Sequence, residues 1–146
     1  MKKIFLVLFI IYPALLLSQE GIYIKSIKFY PSRTIDNIDE NSREYSEIFK
    51  RSSTCLVNYE VVVDVEQRTD KDKFINIKAT FYNTNSKLLE GCAINYDVAI
   101  DKYKNLINST GYCGFEEPGY WETGSYRVDI ILNGISLKSA TFEIKE

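Results

Sequence analysis

The chain contains no histidine. That absence removes the usual base for a serine or cysteine nucleophile and the commonest transition-metal ligand. Cysteine is scarce, with three, and no C-x-x-C occurs. The four close nitrogen or sulfur ligands of a structural zinc site therefore cannot be assembled. No serine or cysteine sits in a nucleophile elbow, so any such catalysis would fall to a lysine or carboxylate base. Excess positive charge is missing as well: 18 Lys and Arg stand against 20 Asp and Glu, which leaves no basic footprint for nucleic acid or anionic lipid. There is no internal repeat, low-complexity tract or linker. No cofactor and no metal is expected.

A long apolar run occurs at the amino terminus. Lys2 and Lys3 are followed by an unbroken stretch from Ile4 to Tyr12, then by Ala14, Leu15, Leu16 and Leu17 past Pro13, with the small Ser18 before Gln19. This is the three-part pattern of a secretory signal. The run is too short, and too interrupted by Pro13, to cross ~30 Å of hydrocarbon comfortably. No cysteine follows the cleavage position, which argues against a lipid anchor. Residues 1–18 are thus expected to be removed, leaving 19–146 as a single domain with no membrane span, secreted, periplasmic or at the cell surface. Without Lys2 and Lys3 the basic side chains fall from 18 to 16 against 20 acidic ones, a formal charge of −4. That length suits one domain able to bury its own core.

From residue 55 onward the apolar pattern has a period of two. Cys55, Val57, Tyr59, Val61, Val63 and Val65 alternate with Asn58, Glu60, Asp64 and Glu66, placing one face in a core and the other largely in water. Gln67 to Asp72 is polar and reads as a turn. Ile75, Ile77, Ala79 and Phe81 follow, ended by Asn83-Thr84-Asn85-Ser86, and then Cys92, Ile94, Tyr96, Val98 and Ile100. Near the end, Tyr126, Val128, Ile130 and Leu132 run into Asn133-Gly134, a tight-reversal signal. The return strand, Ile135 to Ile144, changes phase. Either a two-residue turn is followed by a bulge near Ser139, or a three-residue turn shifts the register. Ile22 to Tyr30 also changes phase, between Ile24 and Ile27, as a bulged edge strand would, and Pro31 ends it. Ser32 to Ser53 lacks regular spacing and is expected to be a loop. There, Tyr45, Ile48 and Phe49 either line one side of a short helix or belong to an irregular excursion that tucks Phe49 under the sheet. The fold class is all-β: an immunoglobulin- or fibronectin-III-like antiparallel sandwich of about seven strands.

The segment from Gly114 to Asp129 includes Trp121, Gly124, Tyr126 and Val128, and Asn133-Gly134 and Phe142-Glu143-Ile144 follow it. Together they resemble the last two strands of small bacterial extracytoplasmic sandwich domains, with Trp-x-x-Gly-x-Tyr-x-Val closing on Phe-x-Ile. The resemblance covers about Ser53 to Ile144. It implies that the strands at Leu56–Val65 and Ile75–Phe81 form the central pair. It also implies an accessory or surface module without assigned chemistry. Cys55, Cys92 and Cys113 depart from that pattern. On physical grounds Trp121 caps one end of the core, Gly124 admits the sharp turn into the strand, and Tyr126 opens its inward face. Gly134 belongs to the turn, and Phe142 to the closing strand.

Candidate binding residues gather before and around Trp121. Tyr112, Phe115 and Tyr120 read as loop aromatics beside Glu116, Glu117 and Glu122. Such rings stack on sugars or anchor a protein partner. Paired carboxylates can hydrolyse glycosides, and with Asp129 the same acids could supply calcium oxygens, but clustered Glu is more often solvated surface. Cys55 and Cys92 share the inward parity of strands that begin at one end if residues 55–101 form a meander, and Cys113 lies just before a strand starting there. A Cys92–Cys113 bridge is expected, with Cys55 buried and unreactive; Cys55–Cys113 is the alternative. Asn108-Ser109-Thr110 has the form of a glycosylation acceptor, relevant only in a eukaryotic host. The function expected is a non-catalytic module that contacts a protein or glycan of the cell envelope, through residues 102–123. A carbohydrate-binding module and a small hydrolase using Glu116 or Glu122 are the alternatives.

Overall fold

A computed structural model describes residues 21–35, 38–66, 73–100 and 105–146. The expected secretory segment and the polar turn at 67–72 lie outside the described residues. The strands are β1 (Ile22–Ser32), β2 (Ile48–Lys50), β3 (Leu56–Val65), β4 (Lys73–Tyr82), β5 (Ile94–Ile100), β6 (Leu106–Gly114), β7 (Gly124–Leu132) and β8 (Ile135–Lys145). They form a three-stranded sheet in the order β1-β3-β6 and a five-stranded sheet in the order β2-β8-β7-β4-β5. Neighbours are antiparallel, except that β2 runs parallel to β8. With β4, β7 and β8 adjacent in one sheet and β1, β3 and β6 in the other, the fold is an immunoglobulin-like β-sandwich.

The chain changes sheets between β3 and β4, so the meander expected over residues 55–101 does not form. Nor are β3 and β4 a central pair: β3 bonds β1 and β6, whereas β4 bonds β5 and β7. The reason lies in their inward faces. Val57, Tyr59, Val61 and Val63 on β3 are fully buried, as are Ile75, Ile77, Ala79 and Phe81 on β4. Two such faces satisfy each other across the interior, and the Tyr59 and Phe81 rings meet there at 5.9 Å. Each fully buried Val, Ile or Phe contributes about 1.5–3 kcal/mol relative to exposure.

The outer face of β3 is not left largely to water. Asn58 and Glu60 are buried. The stretch expected to be a plain loop contains a 3-10 turn at Glu40–Ser42 and the short strand β2, which joins the other sheet, and between the two it passes over Glu60. The Arg43 guanidinium bonds the Glu60 carboxylate, and the Tyr45 hydroxyl donates to the same carboxylate at 2.8 Å. The Asn58 amide donates to the Tyr30 carbonyl and the Ser32 hydroxyl. Phe49 is buried edge-on against Phe142, 5.9 Å away, which is the excursion rather than the helix.

Both phase changes are bulges. In β1 the register shifts between Ile24 and Ser26, and the strand continues through Pro31 to Ser32 because, at a sheet edge, Pro31 needs no outward donor. In the last hairpin Leu132 pairs with Ile135 across Asn133 and Gly134, both at positive φ, and the register slips between Ile130 and Ile131. A two-residue turn followed by a bulge is therefore the form adopted.

Tyr112 was expected in a loop and no strand was expected over 106–114, but these residues form β6. Its inward positions are Ile107, Ser109, Gly111 and Cys113, too small and polar to show an apolar period. Tyr59 makes the small residue necessary: a Cβ on Gly111 would lie 2.5 Å from the Tyr59 hydroxyl oxygen.

Candidate functional site

The residues before Trp121 are held from several directions. The Phe115 amide donates to the Cys55 carbonyl at 3.1 Å, and the Trp121 indole Nε1 donates to the same oxygen at 2.9 Å. The Gly119 amide donates to the Arg51 carbonyl, and Arg51 Nε returns a bond to the Gly119 carbonyl at 3.0 Å. The Tyr126 hydroxyl donates to the Glu122 carbonyl at 2.8 Å. Burial, followed by the Glu122 charge, pushes the Tyr126 phenol above its ordinary value.

Trp121 is buried edge-on against Tyr126, Phe142 and Phe115. Tyr126 and Phe142 stack in parallel at 5.1 Å. Gly124, at φ 136°, stands where a Cβ would meet Thr84 at 2.3 Å. The 115–123 loop thus rests on an aromatic floor and is pinned at both ends.

Facing it is the β4–β5 connection. Asn83 closes its first turn, its side-chain oxygen accepting from the amides of Asn85 and Lys87. The connection ends at Cys92, which is bonded to Cys113 of β6. The bridge closes a separation of 21 residues, with Cα atoms 5.0 Å apart, and Cys55 is the free, buried cysteine. The expected pairing is therefore present, although Cys113 lies within β6 rather than before a strand.

Between the two connections lies a cleft of about 380 Å³, with Leu89, Glu90 and Cys92 on one side and Phe115, Tyr120 and Glu122 on the other. Phe115 and Tyr120 are 42% and 63% exposed, their rings 5.9 Å apart and inclined by 35°. Three of the six candidate binding residues, Phe115, Tyr120 and Glu122, share this cleft.

The other three do not. Glu116 and Glu117 are exposed outside its lining. Tyr112 is not a loop aromatic: it sits on the outer face of β6 opposite Asn58 and lines a second groove. Tyr112, Phe115 and Tyr120 therefore make no common stacking platform. Asp129 is occupied by Arg127 and the Ser139 hydroxyl, and among the described residues no group of three or more Cys, Asp or Glu is placed to hold a metal ion. Glu90 went unread as a lining residue, although pairing Cys92 with Cys113 already carries it to the Phe115 side.

No family model matches this chain, and no curated protein matches it. Among solved structures it is similar to a Pseudomonas fluorescens alkylpurine DNA glycosylase bound to DNA containing an abasic site analog, at 10% identity and TM-score 0.52, over 86% of this chain and 31% of that one. The chain therefore spans about a third of that enzyme, and the likeness is one of fold. An immunoglobulin-like protein from Pseudomonas aeruginosa aligns at 12% identity and TM-score 0.47, over 88% of this chain and 99% of its own. A Listeria innocua β-glucosidase in complex with laminaribiose aligns at 9% and 0.47, over 86% and 16%. Among the described residues no helix is long and apolar enough to cross a membrane.

Proposed function

We propose that the protein is an extracytoplasmic, non-catalytic binding module whose cleft at Phe115, Tyr120, Glu90 and Glu122 contacts a protein or other component of the cell envelope. The observation that carries the reading is the pair of exposed rings at the mouth of a cleft whose walls are fixed before any partner arrives. Rigid aromatic anchors lose little freedom on binding, and loops on a sandwich scaffold are the usual place for contacts. The tripartite amino-terminal pattern and the Cys92–Cys113 bridge support an oxidising compartment. The resemblance to small bacterial extracytoplasmic sandwich domains supports an accessory role.

The inclined Phe115–Tyr120 pair also supports a carbohydrate ligand, with one sugar ring against two aromatic faces. The hydrolase alternative draws no support from the geometry, because Glu116 lies outside the cleft and Glu122 is exposed. Immobilised protein and a Phe115→Ser/Tyr120→Ser variant, challenged with solubilised envelope and with a glycan array, separate the readings. A protein retained by the parent and lost by the variant supports the first, and a sugar lost in the same way supports the second. Equal retention by both proteins overturns the cleft as the contact surface.

A further inference from the structure

We infer that the open edge of β6 docks an extended peptide, which joins the three-stranded sheet as a fourth strand and lays alternate apolar side chains over Ile94, Tyr96 and Val98 of β5. This site is separate from the cleft and does not depend on it.

The direction of the β6 backbone comes from the bonds at its two ends. Phe115 donates to the Cys55 carbonyl and Val65 donates to the Asn105 carbonyl. In the register between them, Val57 faces Cys113, Tyr59 faces Gly111, Val61 faces Ser109 and Val63 faces Ile107. In an antiparallel ladder, alternate residues exchange bonds with the neighbour and those between turn their N–H and C=O groups the other way. Leu106, Asn108, Thr110 and Tyr112 therefore present main-chain donors and acceptors away from β3. Among the described residues β6 pairs with β3 alone.

The second observation is the mismatch between the sheets. Five strands face three. The inward residues of β4 are fully buried, whereas Ile94, Tyr96 and Val98, inward on β5, are only partly covered. The ledge they form runs beside the β6 edge, tied to it by the Cys92–Cys113 bridge and by a bond between the Tyr96 and Ser109 hydroxyls. A groove of about 550 Å³ passes this edge, from Ile94 and Tyr96 by Thr110 and Gly111 to Tyr112 and Asn58 on the outer face of the sheet.

Edge strands are normally blunted by lysine, proline or a bulge. β1 has all three in Lys25 and Lys28, Pro31 and the shift at Ile24/Ser26. β6 reads Leu-Ile-Asn-Ser-Thr-Gly-Tyr-Cys-Gly, with no charge, no proline and an unbroken register.

The occupant follows from area and from the free main-chain groups of the edge. Nine residues rising ~3.3 Å each make an edge of roughly 30 Å by 10 Å. That is well below the ~800 Å² per partner of a stable folded interface, so a second copy pairing through this edge alone is too weakly held. An extended segment is recognised instead by main-chain bonds with side-chain pockets.

The test selects a phage-displayed library of twelve-residue peptides on the purified protein, with a Thr110→Pro variant as counter-target. Thr110 directs its N–H outward, so proline removes an edge donor without breaking a bond to β3. Enriched sequences should carry apolar residues at alternate positions, and Thr110→Pro should weaken their binding at least tenfold. Amide hydrogen exchange on the unsubstituted protein is independent of that variant's folding. Bound peptide should slow exchange at Leu106, Asn108, Thr110 and Tyr112. No enrichment, protection confined to Phe115 and Tyr120, or a concentration-dependent dimer abolished by Thr110→Pro would each overturn the proposal.

Discussion

Arg43 and Glu60 form an ion pair on the outer face of β3, with side-chain exposures of 9% and 3%. The pair is enclosed by the Tyr30 ring, 5.1 Å from the guanidinium carbon, and by the Tyr45 hydroxyl. Arg43 Nε also donates to the Ile38 carbonyl, so the cation ties the covering segment to the sheet. Breaking a buried pair by removing one partner leaves an uncompensated charge. Arg43→Ala should therefore destabilise the fold by about 3 kcal/mol in urea unfolding, whereas Arg43→Met/Glu60→Leu should lose much less. Equal losses in the single and double variants would show that packing, not charge, is the source.

This pair also marks where the sequence stops being legible. Period-two alternation located β3, β4, β5, β7 and β8 because their inward residues are large and apolar. It failed for β6, where Tyr59 fills the space that an inward side chain at Gly111 would need. It failed again for the 32–53 segment, whose contacts are an ion pair, a cation over an aromatic ring and hydroxyl bonds, none of which recurs at fixed spacing. Glu60 looked solvent-facing by parity, and only the tertiary fold brings Arg43 above it. The Cys92–Cys113 pairing was legible from facing parity, although the meander invoked for it does not exist. The candidate site was half legible: Phe115, Tyr120 and Glu122 followed from the residues around Trp121, while Glu90 lies in a connection whose only signal was the Asn83–Ser86 turn.

The Cys92–Cys113 bridge joins a β4–β5 connection to the opposite sheet and forms part of the cleft wall. Closing a loop of this length restrains the unfolded chain, so Cys92→Ser/Cys113→Ser should cost ~3 kcal/mol by denaturant titration. Thiol titration should find no rapidly reacting group in the native protein and one after unfolding, from Cys55. Three thiols in the unfolded, unreduced protein, or a single thiol that maps to Cys92 rather than Cys55, would contradict the pairing.

Alkaline pH should weaken the fold through its buried tyrosines. Burial, followed by the nearby Tyr96, raises the Tyr59 phenol strongly, and burial first also raises Tyr30 and Tyr126. A phenol raised in the folded state keeps its proton after the unfolded chain has released it near the ordinary value of 10.0. Its contribution is complete below that pH and is lost as pH climbs towards the folded value. Denaturation midpoints should fall steadily above about pH 10, less steeply in Tyr59→Phe. Tyrosinate absorbance that rises in full while the fold persists would refute this.

Tyr59 and Gly111 make the sharpest packing test. A methyl group at residue 111 would lie 2.5 and 2.6 Å from the Tyr59 hydroxyl oxygen and Cε1, and 2.7 Å from Ile94 Cδ1. Among the described residues the buried Tyr59 hydroxyl has no hydrogen-bond partner, and its Tyr96 neighbour is engaged by Ser109. Overpacking of this kind costs about 1–3 kcal/mol, so Gly111→Ala should be destabilised within that range. Tyr59→Phe alone should be neutral or stabilising by about 1 kcal/mol, because it removes an unsatisfied buried oxygen. In Gly111→Ala/Tyr59→Phe the closest clash disappears while Cε1 and Ile94 remain, so the double variant should recover part of the loss. Strict additivity in a thermal-unfolding cycle would mean that β6 moves away from Tyr59 rather than pressing on it.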